Sequence, residues 1–207
     1  MDSARSQKLA RAWDKQVRWY EPQMRFFDRH LFGDTREWVC SRATGDTLEV
    51  AIGTGMNLPL YPADVRLTGL DFSPEMMARA RARADESGRP VTLVPGDATA
   101  MPFDDAAFDT VVCTFGLCSI LDVDAALREM RRVLRPDGRL LLADHVEAAP
   151  APVRGVQWLL ERVTVPLSEE HFRRRPLLRL PAAGFTVDTV ERFALGIVER
   201  LVAHPTV

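Results

Sequence analysis

The stretch Leu48-Glu49-Val50-Ala51-Ile52-Gly53-Thr54-Gly55-Met56-Asn57 constrains this chain most, because an apolar strand runs straight into a glycine turn. Gly53 and Gly55 give the backbone the freedom a tight turn needs and let its amides approach a ligand closely. Glu49, near the strand end, adds a carboxylate able to orient a cationic amine. The next apolar segment, Val65 to Asp71, also ends in a carboxylate, placed to accept from both hydroxyls of a ribose. A third, Val91 to Pro95, leads into Gly96-Asp97-Ala98, where Asp97 suits an adenine amino group. Three strand ends thus carry polar groups for one adenosine-like ligand, and Phe72 and Met76 are placed to flank its base.

From Thr47 onward strands and helices alternate, which predicts a parallel sheet with helices on both faces. Ser73 is a good N-cap and Pro74 a good first residue for a helix over 75–86 that Gly88 ends. A strand from Thr110 to Thr114 precedes a helix over 123–134, stopped at Pro136, and a strand from Arg139 to Ala143. Pro150, Pro152 and Pro166 bracket one short helix through Val156 and Leu160, and Ser168 is placed to cap a further segment, Glu169 to Phe172. Phe185 to Glu191 and Leu195 to Ala203 read as a closing hairpin. Residues 4–43 read as two helices separated at Pro22. Seven of the sixteen aromatic residues lie before residue 39, a density that suits a lid over an apolar pocket or simple packing of the helices onto the domain. The chain then divides into a helical lid, 1–43, and one domain, 44–207, and 207 residues suffice for a single well-buried α/β core.

A formal net charge of −2 removes the electrostatic case for nucleic acid or an anionic surface as the main partner. No apolar run approaches the roughly 20 residues that span a bilayer, and the first residues lack the pattern of a signal peptide, so a cytoplasmic location is expected. The sequence also shows no basic amphipathic segment of the kind that marks membrane-surface enzymes, although peripheral contact is compatible with it. Cys40, Cys113 and Cys118 have neither metal-ligand spacing nor an even count, which predicts reduced thiols and no metal. Oligomeric state leaves no mark on the sequence.

The order Glu49-x-Ala51-x-Gly53-x-Gly55, Leu70-Asp-Phe-Ser73, Gly96-Asp-Ala98, Phe108-Asp-Thr-Val-Val112 and Val133-Leu-Arg-Pro-Asp-Gly138 resembles the class I S-adenosylmethionine (SAM)-dependent methyltransferases over about residues 45–147. Cys113 to Ser119, Asp144-His145-Val146 and Phe193 to Arg200 resemble the branch that holds methyltransferase-like thiol methyltransferases and bacterial phospholipid N-methyltransferases. The resemblance implies a single doubly wound, mostly parallel seven-stranded sheet, Rossmann-like, with an N-terminal helical lid. It also implies SAM as cofactor, leaving as S-adenosylhomocysteine (SAH), bound by Glu49, Ala51, Gly53, Gly55, Asn57, Asp71, Phe72, Met76, Asp97, Ala98 and Thr114. Ala51 stands where the family usually has its first glycine, and the turn is expected to tolerate its methyl because the sharp bend needs only Gly53 and Gly55. Asn57 adds an amide beside the methionine end.

Methyl transfer from a sulfonium is an in-line displacement that depends mainly on alignment and dehydration. Two small lipophilic acceptors follow from the resemblance: a thiol, or an amine such as that of phosphatidylethanolamine. Ionising a thiol of pKa about 8.5 at pH 7 costs about 2 kcal/mol, and deprotonating an amine near 10 costs about twice that. His145, just past the fifth strand, is the candidate base, with a structural hydrogen-bonding role as its alternative. Tyr20 is placed to reach the cofactor carboxylate or the acceptor, or else to sit as an amphipathic aromatic at the domain edge. Cys118 reads as a pocket wall. Sulfur is therefore the first expectation and nitrogen the second. A nicotinamide-dependent oxidoreductase would share the acidic residue after the second strand but would want a small residue at Leu58 and leave Asp97 unused. A SAM-binding module without activity is the remaining alternative.

Overall fold

The computed structural model describes residues 3–206, with side chains from Leu9. Helix α1 (Ser3–Phe27) runs through a π turn (Asp28–Phe32) to a short α2 (Thr35–Cys40). There follow β1 (Asp46–Val50), β2 (Arg66–Asp71), α3 (Pro74–Ser87), β3 (Val91–Pro95), β4 (Phe108–Thr114), α4 (Val123–Val133), β5 (Leu134–His145), α5 (Ala151–Ser168), β6 (Phe185–Phe193) and β7 (Val198–Pro205). The seven strands form one sheet in the order β3-β2-β1-β4-β5-β7-β6. The first five are parallel, and β7 runs antiparallel between β5 and β6. Strand order reverses between β1 and β4, and in open α/β sheets that crevice is where ligands bind.

Both faces of the sheet are covered, and the strand residues divide between them with period two. Val111, Leu140 and Leu142 join Leu127, Met130 and Phe185 in one core cluster, while Val112, Leu141 and Ala143 join Trp38, Val39 and Cys40 in the other. Helix α4 buries Val123, Ala126, Leu127, Met130 and Val133, a three-and-four spacing that puts one stripe on the sheet. Asp122 caps it by accepting from the Ala125 amide at 2.9 Å. Ser73 caps α3 in the same way, accepting from Met76, and Gly88 ends it at φ +64°.

Four local expectations change. Pro22 lies inside α1, and the chain breaks instead at Gly33, at φ +59°. The missing proline amide is outweighed by anchors on either side of it: Asp14 accepts from the Ser73 hydroxyl at 2.6 Å and Glu21 pairs with Arg83 at 2.8 Å before it, and Asp28 accepts from Arg36 at 2.9 Å after it. Strand β5 begins at Leu134 and passes through Pro136, with a register shift against β4 between Phe108 and Thr110. Helix α5 runs through Pro166, and the Ser168 hydroxyl donates back to the Thr164 carbonyl rather than opening a second helix. Finally, a basic amphipathic segment does exist: the exposed side of α1 carries arginines and a lysine beside Trp19 and Phe26. Near-zero net charge conceals it, because Asp14, Glu21 and Asp28 on other sides of the same segment and carboxylates in the rest of the chain balance it. Among the described residues no helix is long and apolar enough to cross a membrane.

Candidate active site

Five strands deliver their carboxyl ends to one edge, and α1 lies over that edge through its contact with α3. At the β1 end the chain turns with Ala51, Gly53 and Gly55 all in the left-handed region, at φ +57°, +57° and +73°. The turn thus asks more than two glycines, since Ala51 bears a conformation that costs a residue with a Cβ about 1–2 kcal/mol. Gly55 is fixed by packing, because a Cβ there would come within 2.9 Å of the Leu58 side chain and 3.2 Å of the Ala80 backbone.

Asp71 is buried and fastens this turn to the next strand, its Oδ2 accepting from the Gly53 amide at 2.8 Å and its Oδ1 from Ser73 at 2.9 Å. Burial pushes its carboxyl up, although the backbone amides of Ser73, Gly53 and Phe72 favour the anion. Each oxygen keeps a lone pair for a further donor. Asp71, Ala51, Gly53, Phe72 and Met76 line a cleft closed on the α1 side by Trp13 and Tyr20.

Beneath the turn lies a buried polar network. Asn57 donates to Glu49 Oε1 at 2.7 Å and to Thr114 Oγ1 at 2.8 Å, and its own oxygen accepts from Arg36 Nη1 at 3.0 Å. Asn57 and Thr114 therefore act as linkers, with their polar groups already engaged. Arg36 also donates to Asp28 at 2.9 Å and covers the Phe115 ring, 4.9 Å from its centre. Burial pushes the Glu49 carboxyl up to about 7, although Tyr61, Asn57 and the Arg36 charge favour the anion. Burial likewise lifts the Tyr20 hydroxyl to about 12, against the pull of Arg36.

A second, apolar pocket adjoins the cleft, with Tyr20 and Phe115 shared between them. Phe27, Met24 and Phe32 form its walls and His145, Glu170 and Phe172 its polar end. Phe115 sits at φ +52°, stacked on Phe32 at 4.1 Å. His145 Nε2 stands 3.7 Å from Glu170 Oε1 and 3.9 Å from Asp144 Oδ1, and the ring leans on Phe172 at 4.9 Å. Burial alone would depress the His145 pKa, but Glu170 and Asp144 raise it above its ordinary value. Asp144 is itself buried, accepting from the Cys118 and His145 amides at 3.1 and 2.8 Å. Cys118 lies alongside, its thiol pushed far up by burial and by the charges of Asp144 and Glu170.

Of the predicted residues, Ala51, Gly53, Asp71, Phe72, Met76 and Tyr20 meet at the cleft, and His145 faces the adjoining pocket. Asp97 and Ala98 do not line the cleft; Asp97 Oδ1 accepts from the Thr99 amide and hydroxyl, both at 2.8 Å, and Ala98 packs on the core. Of the seven aromatics before residue 39 whose density suits a lid, Trp19 and Phe26 point outward, 73% and 58% exposed. Sequence reasoning missed Arg36, Phe115 and Glu170. Among the described residues, the buried side-chain atoms left without a hydrogen bond include Trp13 Nε1 at the cleft, Arg36 Nη2 and Glu49 Oε2 in the polar network, and His145 Nδ1 at the adjoining pocket. Buried polar groups are almost always paired, so these unpaired ones mark where a ligand's polar groups belong.

A doubly wound sheet closed by an antiparallel hairpin, with an acidic residue and a glycine turn at its switch point, defines the class I methyltransferase architecture. Residues 48–142 match the family described as a methyltransferase domain, and the fold is that of the class I SAM-dependent methyltransferases. The chain is 41% identical over 120 residues to a phosphatidylethanolamine N-methyltransferase of Cereibacter sphaeroides, covering 57% of this chain and 59% of that protein. A demethylmenaquinone methyltransferase of Thermus thermophilus is 39% identical over 119 residues, 56% of this chain and 52% of the relative. The chain thus spans little more than half the length of these curated relatives. A SAM-dependent methyltransferase structure from Thermotoga maritima superposes with a TM-score of 0.70 at 20% identity, covering 95% of this chain and 99% of the other, a likeness of fold.

Proposed function

We propose that this protein transfers a methyl group from SAM to the nitrogen of a lipophilic amine, of which a phosphatidylethanolamine head group is the leading example. The observation that carries this reading is the cluster of buried Asp144 and His145 with half-buried Glu170 at the end of an apolar pocket. Carboxylates there attract an ammonium and repel a thiolate; the neighbouring Cys118 thiol is held far above its ordinary value by burial first and by the Asp144 and Glu170 charges second. An acceptor thiol in the same place would feel the same charges, so the low ionisation cost that favours sulfur in water does not carry over.

The unpaired atoms fit the cofactor's polar ends. Glu49 Oε2 is a buried acceptor suited to the amino group, Arg36 Nη2 and Trp13 Nε1 are donors suited to the carboxylate, and the free lone pairs of Asp71 suit the ribose. When bound, SAM supplies an electrophilic methyl on a sulfonium. His145 takes the proton from the acceptor nitrogen, and Glu170 and Asp144 stabilise the resulting imidazolium. The aromatic walls exclude water and hold the acceptor in line. The relative named as a phosphatidylethanolamine N-methyltransferase supports nitrogen as the acceptor atom.

The test is transfer of labelled methyl from SAM to a panel of lipid amines, free amines, thiols and phenols across pH. Lipid amines should be labelled, with the rate rising as pH passes the raised His145 pKa, because the neutral imidazole is the base. His145→Ala should cost 10²–10⁴-fold. In Glu170→Gln the rise should move to lower pH, since one of the charges that raises His145 is gone. Exclusive labelling of thiols would overturn the nitrogen assignment.

A further inference from the structure

Helix α5 is built inside out. Its polar residues face the protein: the Gln157 oxygen accepts from the Ala148 amide at 2.8 Å and its nitrogen donates to the Val146 and Phe172 carbonyls at 2.9 and 3.2 Å. Glu161 accepts from the Arg173 amide and side chain, and the Thr164 hydroxyl donates to the Glu170 carbonyl at 2.8 Å. The opposite stripe, Val156, Leu159, Leu160, Val163 and Leu167, is aliphatic and solvent-facing, with Leu159 63% and Leu167 66% exposed. A helix ordinarily buries its apolar stripe, so this one is arranged for a surface outside the protein.

The helix it touches supplies the charge. On α1 and the π turn, Arg11, Lys15, Arg18, Arg25 and Arg29 recur at the spacing of one helix face, and all are exposed. Trp19 and Phe26 stand beside that row. Asp14 turns away to Ser73 and Asp28 to Arg36, while Glu21 pairs with Arg83 at 2.8 Å and, at 3.5 Å, with Arg25 alone of the row. A cationic row flanked by Trp and Phe is the pattern of a helix lying in a lipid interface.

We infer that α1 and α5 together form a docking surface for an anionic phospholipid bilayer. The choice of a bilayer over a protein rests on the exposed cationic row with its flanking Trp19 and Phe26 along α1, and on the exposed aliphatic stripe of the α5 helix that α1 touches. The inference builds on a lipid-borne acceptor, and the experiment separates the two ideas by using lipids that carry no methylatable amine.

Vesicles of phosphatidylcholine with and without phosphatidylglycerol are sedimented with the full chain at low and high salt. Binding should appear only with the anionic lipid and weaken with salt. Each basic residue near such a surface strengthens binding about fivefold, so Lys15→Gln, Arg18→Gln and Arg29→Gln combined should weaken it roughly a hundredfold. Leu159→Gln with Val163→Gln should weaken it independently, and all variants should keep the wild-type affinity for SAH, which checks folding. Failure of the unmodified chain to bind anionic vesicles, binding that either variant leaves unchanged, or a dimer in solution that sequesters α5 would each overturn the docking surface, whatever the acceptor proves to be.

Discussion

Replacing Glu49 with Gln should stabilise the protein without ligand and weaken its hold on the cofactor. The native carboxyl ionises at about 7 instead of its ordinary 4.5, so the unfolded chain releases this proton at lower pH than the folded one does. The sign follows: Glu49 contributes nothing unfavourable below pH 4.5, and stability is lost as pH rises from there through 7. Over that window the loss is about 3 kcal/mol, at 1.36 kcal/mol per pH unit. Gln cannot ionise, its oxygen can still accept from Asn57, and its amide nitrogen falls where Oε2 has no partner. Urea denaturation of the ligand-free proteins should therefore show Glu49→Gln more stable by about 3 kcal/mol at pH 8, with the advantage vanishing near pH 4. Calorimetric titration with SAH at pH 8 should show the reverse, a loss of about 1.5–3 kcal/mol for one charge-assisted hydrogen bond. If the two proteins differ equally in stability at pH 4 and pH 8, the buried-acid argument fails. Unchanged SAH affinity would remove Glu49 from the cofactor's amino group.

Asp71→Asn keeps the side chain's shape but turns an amide toward Gly53 or Ser73, which should cost about 1–3 kcal/mol of stability and markedly weaken SAH in the same titration. Arg36→Lys keeps the charge yet cannot span Asp28 and Asn57 together, so SAH affinity should fall about tenfold by calorimetry. An affinity equal to wild type would show that Arg36 only braces the network.

What could be read from the sequence is what neighbours in the chain decide. The α3 cap, the Gly88 stop, the glycine turn and Asp71 at its strand end each depend on contacts within a few residues or on strand ends that the fold must bring together. Arg36 escaped because its partners, Asn57 and Thr114, lie 21 and 78 residues away, and nothing local distinguishes it from a surface arginine. Glu170 escaped because its place depends on α5, whose apolar residues read like a core stripe while the polar side makes the contacts inward. Asp97 shows how local contacts share such a position: the strand-end carboxylate that reads as a ligand group also accepts through Oδ1 from Thr99, two residues on. The basic row on α1 was present in the spacing but disappeared into a balanced net charge.

Ala51 and Gly116 share one methyl-sized space. A Cβ at Gly116 would come within 2.9 Å of the Ala51 Cβ and 3.0 Å of Cys113 Sγ, and Gly116 is not among the residues with positive φ. Ala51→Gly should therefore make Gly116→Ala less costly than it is in the native background, a coupling of about 0.5–3 kcal/mol in a double-mutant cycle. In evolutionary terms the pair is epistatic. While alanine occupies position 51 a side chain at 116 is penalised, so lineages should reach alanine at 116 only after glycine is restored at 51, and an alignment rich in chains with alanine at both positions would contradict the geometry.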